Sequence, residues 1–306
     1  MNITVIGHLC LDNVHLPGEQ MPRQSYGGIA FTIATLANLT GPNDTITPVL
    51  GVGQRDHSQF LEWLSHYPQV SQKGVFVLPG PTNEVHLFYD GSKSGRIECS
   101  KHISPPIPFE AIKPFLQCDG ILINMISGFD ITLETLDRIR MEVRDKGIPV
   151  HFDFHALTLG IDKEYKRFRR PLSDWRRWCF MLHSIQMSEL EASGLTAERY
   201  SEEQLINQLM PLMVTSLIIT RGEQGATLIR QEHKKLSRHD EPGIPVSDAI
   251  DPTGCGDVFG AAFFHRLLQS RDAIEAVKYA NQAAAAKVSF TGPGGLQQLQ
   301  EQRQNP

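Results

Sequence analysis

The sequence predicts an α/β fold with a doubly wound, mostly parallel sheet, and three observations predict it. Short apolar, β-branched runs bounded by Gly, Asp or Asn recur along the chain, helical periodicities lie between several of them, and the length suits such a fold. The runs at residues 3–7, 46–51, 120–124, 149–153, 180–183 and 217–220 read as buried parallel strands. Apolar residues return every three or four positions over 29–39, 58–66, 133–146 and 202–210, as helices packed on such a sheet require. Residues 73–100 break the rhythm: Pro79, Pro81 and Gly91 separate short apolar pieces, which fits hairpins in an antiparallel flap. Residues 254–268 and 272–289 read as two alanine-rich helices, and the tail QQLQEQRQNP is polar enough to fray. With 306 residues, no repeat and no linker, the expectation is one domain over 1–306.

Composition narrows the function classes. Lys and Arg number 29 against 34 Asp and Glu, a net charge of −5, so no global basic field draws nucleic acid or anionic lipid, and a small diffusible partner is expected. Five cysteines, at 10, 99, 118, 179 and 255, form no C-x-x-C and are odd in number, which argues against a disulfide framework or structural zinc. No stretch of about 18 apolar residues and no basic leader is found, so the expectation is a soluble protein of the cytoplasm.

The sharpest feature is DPTGCGDVFGAAFFHRLL, residues 251–268. Small turn-forming residues lead straight into an apolar helix, so the N–H groups of Gly254, Cys255, Gly256 and Asp257 lie at a helix N-terminus. Unpaired donors and the positive dipole end attract anions there, and glycine lets a phosphate approach the backbone. Asp257 in the first turn can act as a general base beside that anion site. The spacing is equally that of a simple capping aspartate.

DPTGCGD closely resembles the D-T-x-G-A-G-D signature of the ribokinase-like, PfkB-type carbohydrate kinases. GHLCLDNV followed by YGGIAFTIATLANL is similar to that family's first strand with its substrate aspartate and to its Gly-Gly helix start. MSELEASGL resembles its N-x-x-E segment and IITRGEQGATL its T-x-G-x-x-G nucleotide loop, all in family order. The resemblance implies a three-layer sandwich with a mostly parallel central sheet and a small β lid, from about 17–26 and 73–100. It implies transfer of the γ-phosphoryl group of ATP, with Mg²⁺, to a hydroxyl of a small sugar, polyol or nucleoside. Asp257 would be the base, with Gly254, Cys255 and Gly256 as the anion hole. Asp12, Gly27, Gly28 and Thr32 would meet the acceptor. Thr220, Gly222, Gly225 and Asn281 would border the nucleotide, while Glu191 and Ser188 would organise magnesium through water. Asp251 matches the residue that helps hold a monovalent cation in potassium-activated relatives. The lid edge could pair with its copy in a homodimer.

Two departures bear on the acceptor and the metal. Thr32 stands where G-G-x-x-x-N has asparagine, and Ser188 where N-x-x-E has asparagine. Threonine offers one short hydroxyl in place of an amide's donor and acceptor arms, so the acceptor pocket should differ from that of an ordinary ribokinase. With Gly7-His8 it resembles the inositol-kinase-like and nucleoside-kinase-like branches. No G-x-x-x-x-G-K-[ST] and no G-x-G-x-x-G after the first strand are present, which disfavours P-loop and nicotinamide-binding proteins. Two rivals stand beside the kinase: a metal-dependent hydrolase using His151, Asp153 and His155, and a non-catalytic sugar- or nucleotide-sensing member of the same fold. The basic run DKEYKRFRRPLSDWRRW is read as a solvated face rather than a nucleic-acid surface.

Overall fold

The computed structural model describes residues 1–89, 96–232, 235–247 and 249–299. The first third of the chain forms β1 (Asn2–Ile6), β2 (Leu9–His15), β3 (Arg23–Gly28), helix α1 (Ile29–Leu39), β4 (Thr45–Gly53), α2 (Gln54–Ser65), β5 (Val75–Leu78), β6 (Asn83–Tyr89) and β7 (Arg96–Lys101). Next come α3 (Phe109–Ile112), β8 (Gly120–Asn124), α4 (Leu133–Val143), β9 (Val150–Asp153), β10 (Leu159–Ile161), β11 (Arg167–Arg169), α5 (Trp175–Cys179), β12 (Ser184–Ser188) and α6 (Glu189–Gly194). The last part holds α7 (Glu202–Leu209), β13 (Ser216–Thr220), β14 (Gly225–Glu232), β15 (Lys235–Pro242), α8 (Cys255–Ser270) and α9 (Ala273–Lys287).

Nine strands make the main sheet in the order β15-β14-β13-β12-β9-β8-β1-β4-β5. From β13 to β5 all neighbours run parallel, and β14 and β15 add an antiparallel edge. Alternate strand residues feed two cores. Ile3, Val5, Leu122 and Ile218 pack with α1, α2, α8 and α9 on one face. Ile6, Ile121, Ile123, Leu217 and Ile219 pack with α3 to α7 on the other. This is the three-layer α/β architecture expected, and its strands are apolar throughout because helices cover both faces. All parallel strands point their carboxyl ends to one edge. The strand order reverses around β1, so a crevice opens there between β1 and β8.

Three sequence expectations are corrected. The strand placed at 180–183 is β12, four residues later. Met181 adopts φ 55° and Phe180 is exposed, so the chain turns there, and inward-facing Ser184 and Gln186 disguise the true strand as polar. Second, β5 belongs to the edge of the main sheet, parallel to β4, and not to a flap. Third, the separate small sheet has the order β3-β2-β6-β7, so it includes β2 and contains one parallel pair, β2 with β6. Of the expected flap, residues 90–95 lie outside the described residues, as do residues 300–306 of the polar tail. No helix among the described residues is long and apolar enough to cross a membrane.

Candidate active site

Helix α8 begins at the mouth of the crevice, and its first turn is built by glycine. Gly254 at the N-cap holds φ 83°, a conformation only glycine adopts cheaply, and a Cβ there would meet the Phe31 ring at 2.6 Å. No side chain caps the helix. Cys255 N–H turns back to the Pro252 carbonyl at 3.2 Å, so the amides farther into the first turn are the ones left for an anion. Gly256 is exposed, and a Cβ added to it would meet nothing within 4 Å. Burial pushes the Cys255 thiol up to about 11, so it stays neutral and puts no negative charge into this turn.

Asp257, one residue on, is buried. Its Oδ1 accepts from Asn124 Nδ2 at 2.7 Å, and the same amide donates to Thr32 Oγ1 at 3.2 Å. His155 Nε2 stands 3.9 Å from Oδ1. Burial raises the Asp257 pKa above the ordinary 3.8, while His155 and Asn124 hold it down. Asp257 is therefore no N-cap: it is a fixed carboxylate with one oxygen anchored and Oδ2 without that anchor. Asn124 ends β8 and was not singled out in the sequence, although a polar residue closing an apolar parallel strand is the available signal. Thr32 is fully buried and reaches Asn124, so it works through that residue.

Asp12 approaches from β2 of the small sheet. Its carboxylate lies against Gly27, where a Cβ would fall 2.1 Å from the carboxyl carbon, so only glycine fits. Cys10 Sγ donates to Asp12 Oδ1 at 3.2 Å. Burial first, then Asp257 and Glu98, raise the Asp12 pKa to about 7. Gly28 holds φ 56° and starts α1 against Ile126. Asp153, at the end of β9, is also pushed well up by burial and by Asp257 and Glu191. Of the residues expected to border the nucleotide, three lie at the next strand end and Asn281 lies on α9. Thr220 ends β13, Gly222 (φ 57°) and Gly225 (φ 94°) shape the turn after it, and Asn281 donates to the Pro242 carbonyl at 2.7 Å. A Cβ on Gly225 would lie 2.1 Å from the Glu241 carbonyl oxygen.

The carbohydrate-kinase pattern of the pfkB family matches residues 172–298, which include the start of α8, Asp257 and Asn281. Residues 172–298, from just before α5 to beyond α9, thus carry the pattern of the PfkB-type carbohydrate kinases. It is 28% identical over 286 residues to a cytidine kinase of Thermococcus kodakarensis, covering 91% of this chain and 92% of that one. It is 35% identical over 195 residues to the ribokinase of Bacillus subtilis, covering 63% of this chain and 57% of the relative. A sulfate complex of a pyrophosphate-dependent kinase in the ribokinase family superposes with a TM-score of 0.78 at 17% identity, over 95% of this chain and 96% of that one. These similarities are to kinases of sugars and nucleosides, and the chain is a kinase of that kind.

Within this kinase the other predicted residues find mixed places. Ser188 and Glu191 form a capping box on α6: Ser188 N–H donates to Glu191 Oε2 at 2.7 Å and Glu191 N–H to Ser188 Oγ at 3.3 Å. Asp251 Oδ1 accepts from Thr253 N–H at 2.9 Å, while its carbonyl oxygen accepts from Lys287 Nζ at 3.1 Å. The hydrolase triplet comes apart. His151 is fully buried against Phe264, is bonded to Ser184 Oγ at 2.8 Å and has its pKa lowered to about 3 by burial. His155 lies past the strand end at φ 37°. Among the described residues no group of three or more His, Cys, Asp or Glu could hold a metal ion. In the basic run Arg167 donates to the Ser127 carbonyl at 2.7 Å, Arg176 stacks on Trp175 and Arg177 pairs with Asp137, all within the fold.

Proposed function

We propose that this chain transfers the γ-phosphoryl group of ATP to a hydroxyl of an uncharged sugar, polyol or nucleoside. The observation that carries the reading is a buried carboxylate, Asp257, fixed by Asn124 in the first turn of an uncapped helix whose Gly256 faces open space. Asp12 accepts a hydrogen bond from one acceptor hydroxyl and so orients the molecule against Gly27. Asp257 takes the proton of the attacking hydroxyl as the oxygen–phosphorus bond forms, and its raised pKa brings it nearer to the operating pH. The first-turn amides of α8 stabilise the charge that gathers on the transferred group. A triphosphate fits this donor set and the glycine turn of Gly222 and Gly225. Glu191 and Ser188, which also bond each other in the capping box, would hold magnesium through water, and the ion would neutralise phosphate charge there.

Asp12, Asp153 and Asp257 are all buried with raised pKa values, and this crowding of carboxylates favours an acceptor without a phosphate of its own. The small sheet of β3, β2, β6 and β7 serves as the lid that excludes water and limits wasteful ATP hydrolysis. The test of the donor is a panel of ribose, cytidine and myo-inositol, each offered ATP with Mg²⁺ or pyrophosphate with Mg²⁺. Acceptor-dependent turnover with ATP is expected. Turnover with pyrophosphate alone would overturn the donor assignment.

A further inference from the structure

Lys287, the last residue of α9, is fully buried. Its ammonium donates to two backbone carbonyls, of Asp251 at 3.1 Å and of Phe290 at 2.8 Å. It also stands 5.5 Å from the centre of the Phe31 ring and 5.1 Å from that of Phe290. A desolvated ammonium is costly unless bonded, and here two carbonyl oxygens and two ring faces receive it.

Of the groups it joins, Asp251 belongs to the loop that leads into α8 and Phe290 to the segment after α9. Ile250 and Asp251 N–H both donate to the Val288 carbonyl, at 2.8 and 3.1 Å, which ties the loop before α8 to the end of α9. The Phe31 ring on the other side of the ammonium is the surface on which Gly254 rests. The lysine therefore touches the loop at Asp251 and, through one ring, at the N-cap of α8. Carbonyls gathered beside the negative end of a helix favour a cation, and a monovalent metal ion would satisfy the same oxygens. Burial lowers the Lys287 pKa, while Asp251, Cys255 and Asp257 hold it up.

We propose that the Lys287 ammonium is the built-in monovalent cation of this loop, a positioning residue that holds residues 251–254 so that the amides of α8 face the transferred group. Turnover then needs no potassium, although Asp251 matches a residue that helps hold a monovalent cation in potassium-activated relatives. The inference rests on the reading of α8 as the phosphoryl site.

The experiment compares wild type with Lys287→Ala at equal ionic strength in tetramethylammonium, potassium or ammonium chloride, with ATP, Mg²⁺ and ribose, cytidine or myo-inositol. Thermal unfolding is recorded in the same salts. The wild type is expected to show the same turnover and unfolding midpoint in all three. Lys287→Ala should lose kcat on the order of 10²-fold, the scale of a misplaced reacting group, with acceptor KM changed far less. Potassium or ammonium, but not tetramethylammonium, should then restore turnover and raise the midpoint of the variant. Stimulation of the wild type by potassium overturns the proposal whether or not the variant folds. So does a folded variant whose loss neither ion relieves. Asp257→Asn run alongside separates the failures: full turnover there removes the phosphoryl-site reading itself, whereas an inactive Asp257→Asn beside a potassium-stimulated wild type removes only the role of Lys287.

Discussion

Asp12 keeps its proton in the folded protein up to about pH 7, whereas in the unfolded chain it releases it near the ordinary 3.8. Between those values the folded state binds the extra proton, so this residue makes stability fall as pH rises across the window, and above it the full penalty remains. Asp12→Asn removes the penalty and keeps an oxygen to accept from the Cys10 thiol. The variant is expected to unfold at a higher temperature than wild type, with the gap widening from about pH 4 to about pH 7 and then levelling. Its acceptor KM should rise severalfold because the amide is a weaker acceptor than the carboxylate. A melting comparison across that range checks the first outcome and steady-state kinetics the second. Burial first, and then the neighbouring carboxylates, push Cys10 and Asp153 up as well, so gathering these acids in one crevice is costly to the fold.

At the scale of the element, the start of α8 separates a cap from an anion site. Gly256 lies in the helix and has room for a methyl group, so Gly256→Ala should leave stability equal or up to about 1 kcal/mol higher. Yet that methyl would project from the turn where the phosphate must approach, so the donor KM should rise and kcat fall. Loss of activity with an undiminished unfolding midpoint is the signature of an anion hole; unchanged kinetics would reduce the turn to a plain helix start. The neighbouring Gly254 does not discriminate, because φ 83° and the Phe31 ring make alanine there destabilising in either case. The segment DPTGCGD made this element legible from the chain alone, since its glycines, its helix and its aspartate are contiguous. Asn124 and Lys287 were not legible: each acts on Asp257 or Asp251 across more than thirty residues, and neither carries a local pattern of its own. Ser188 and Glu191 taught the opposite lesson, since a spacing matched to magnesium also makes a capping box.

For the whole molecule, strand and helix alternation foretold the layered sheet, because helices on both faces leave uniformly apolar strands. The small sheet was harder. Its strands β2 and β3 lie within the stretch that reads as substrate motif and lid, and its pairing of β2 with β6 is a contact between distant segments that periodicity cannot supply. That pairing carries Asp12 to the crevice, while α8 carries Asp257, so the site exists only where the two sheets meet. ADP release measured across pentoses, hexoses, inositols and nucleosides, with wild type and Asp257→Asn side by side, tests this account most directly. Acceptor-dependent turnover is expected in the wild type, with kcat lower by roughly 10² or more in a variant that still folds and binds nucleotide. Undiminished acceptor-dependent turnover in Asp257→Asn would contradict it.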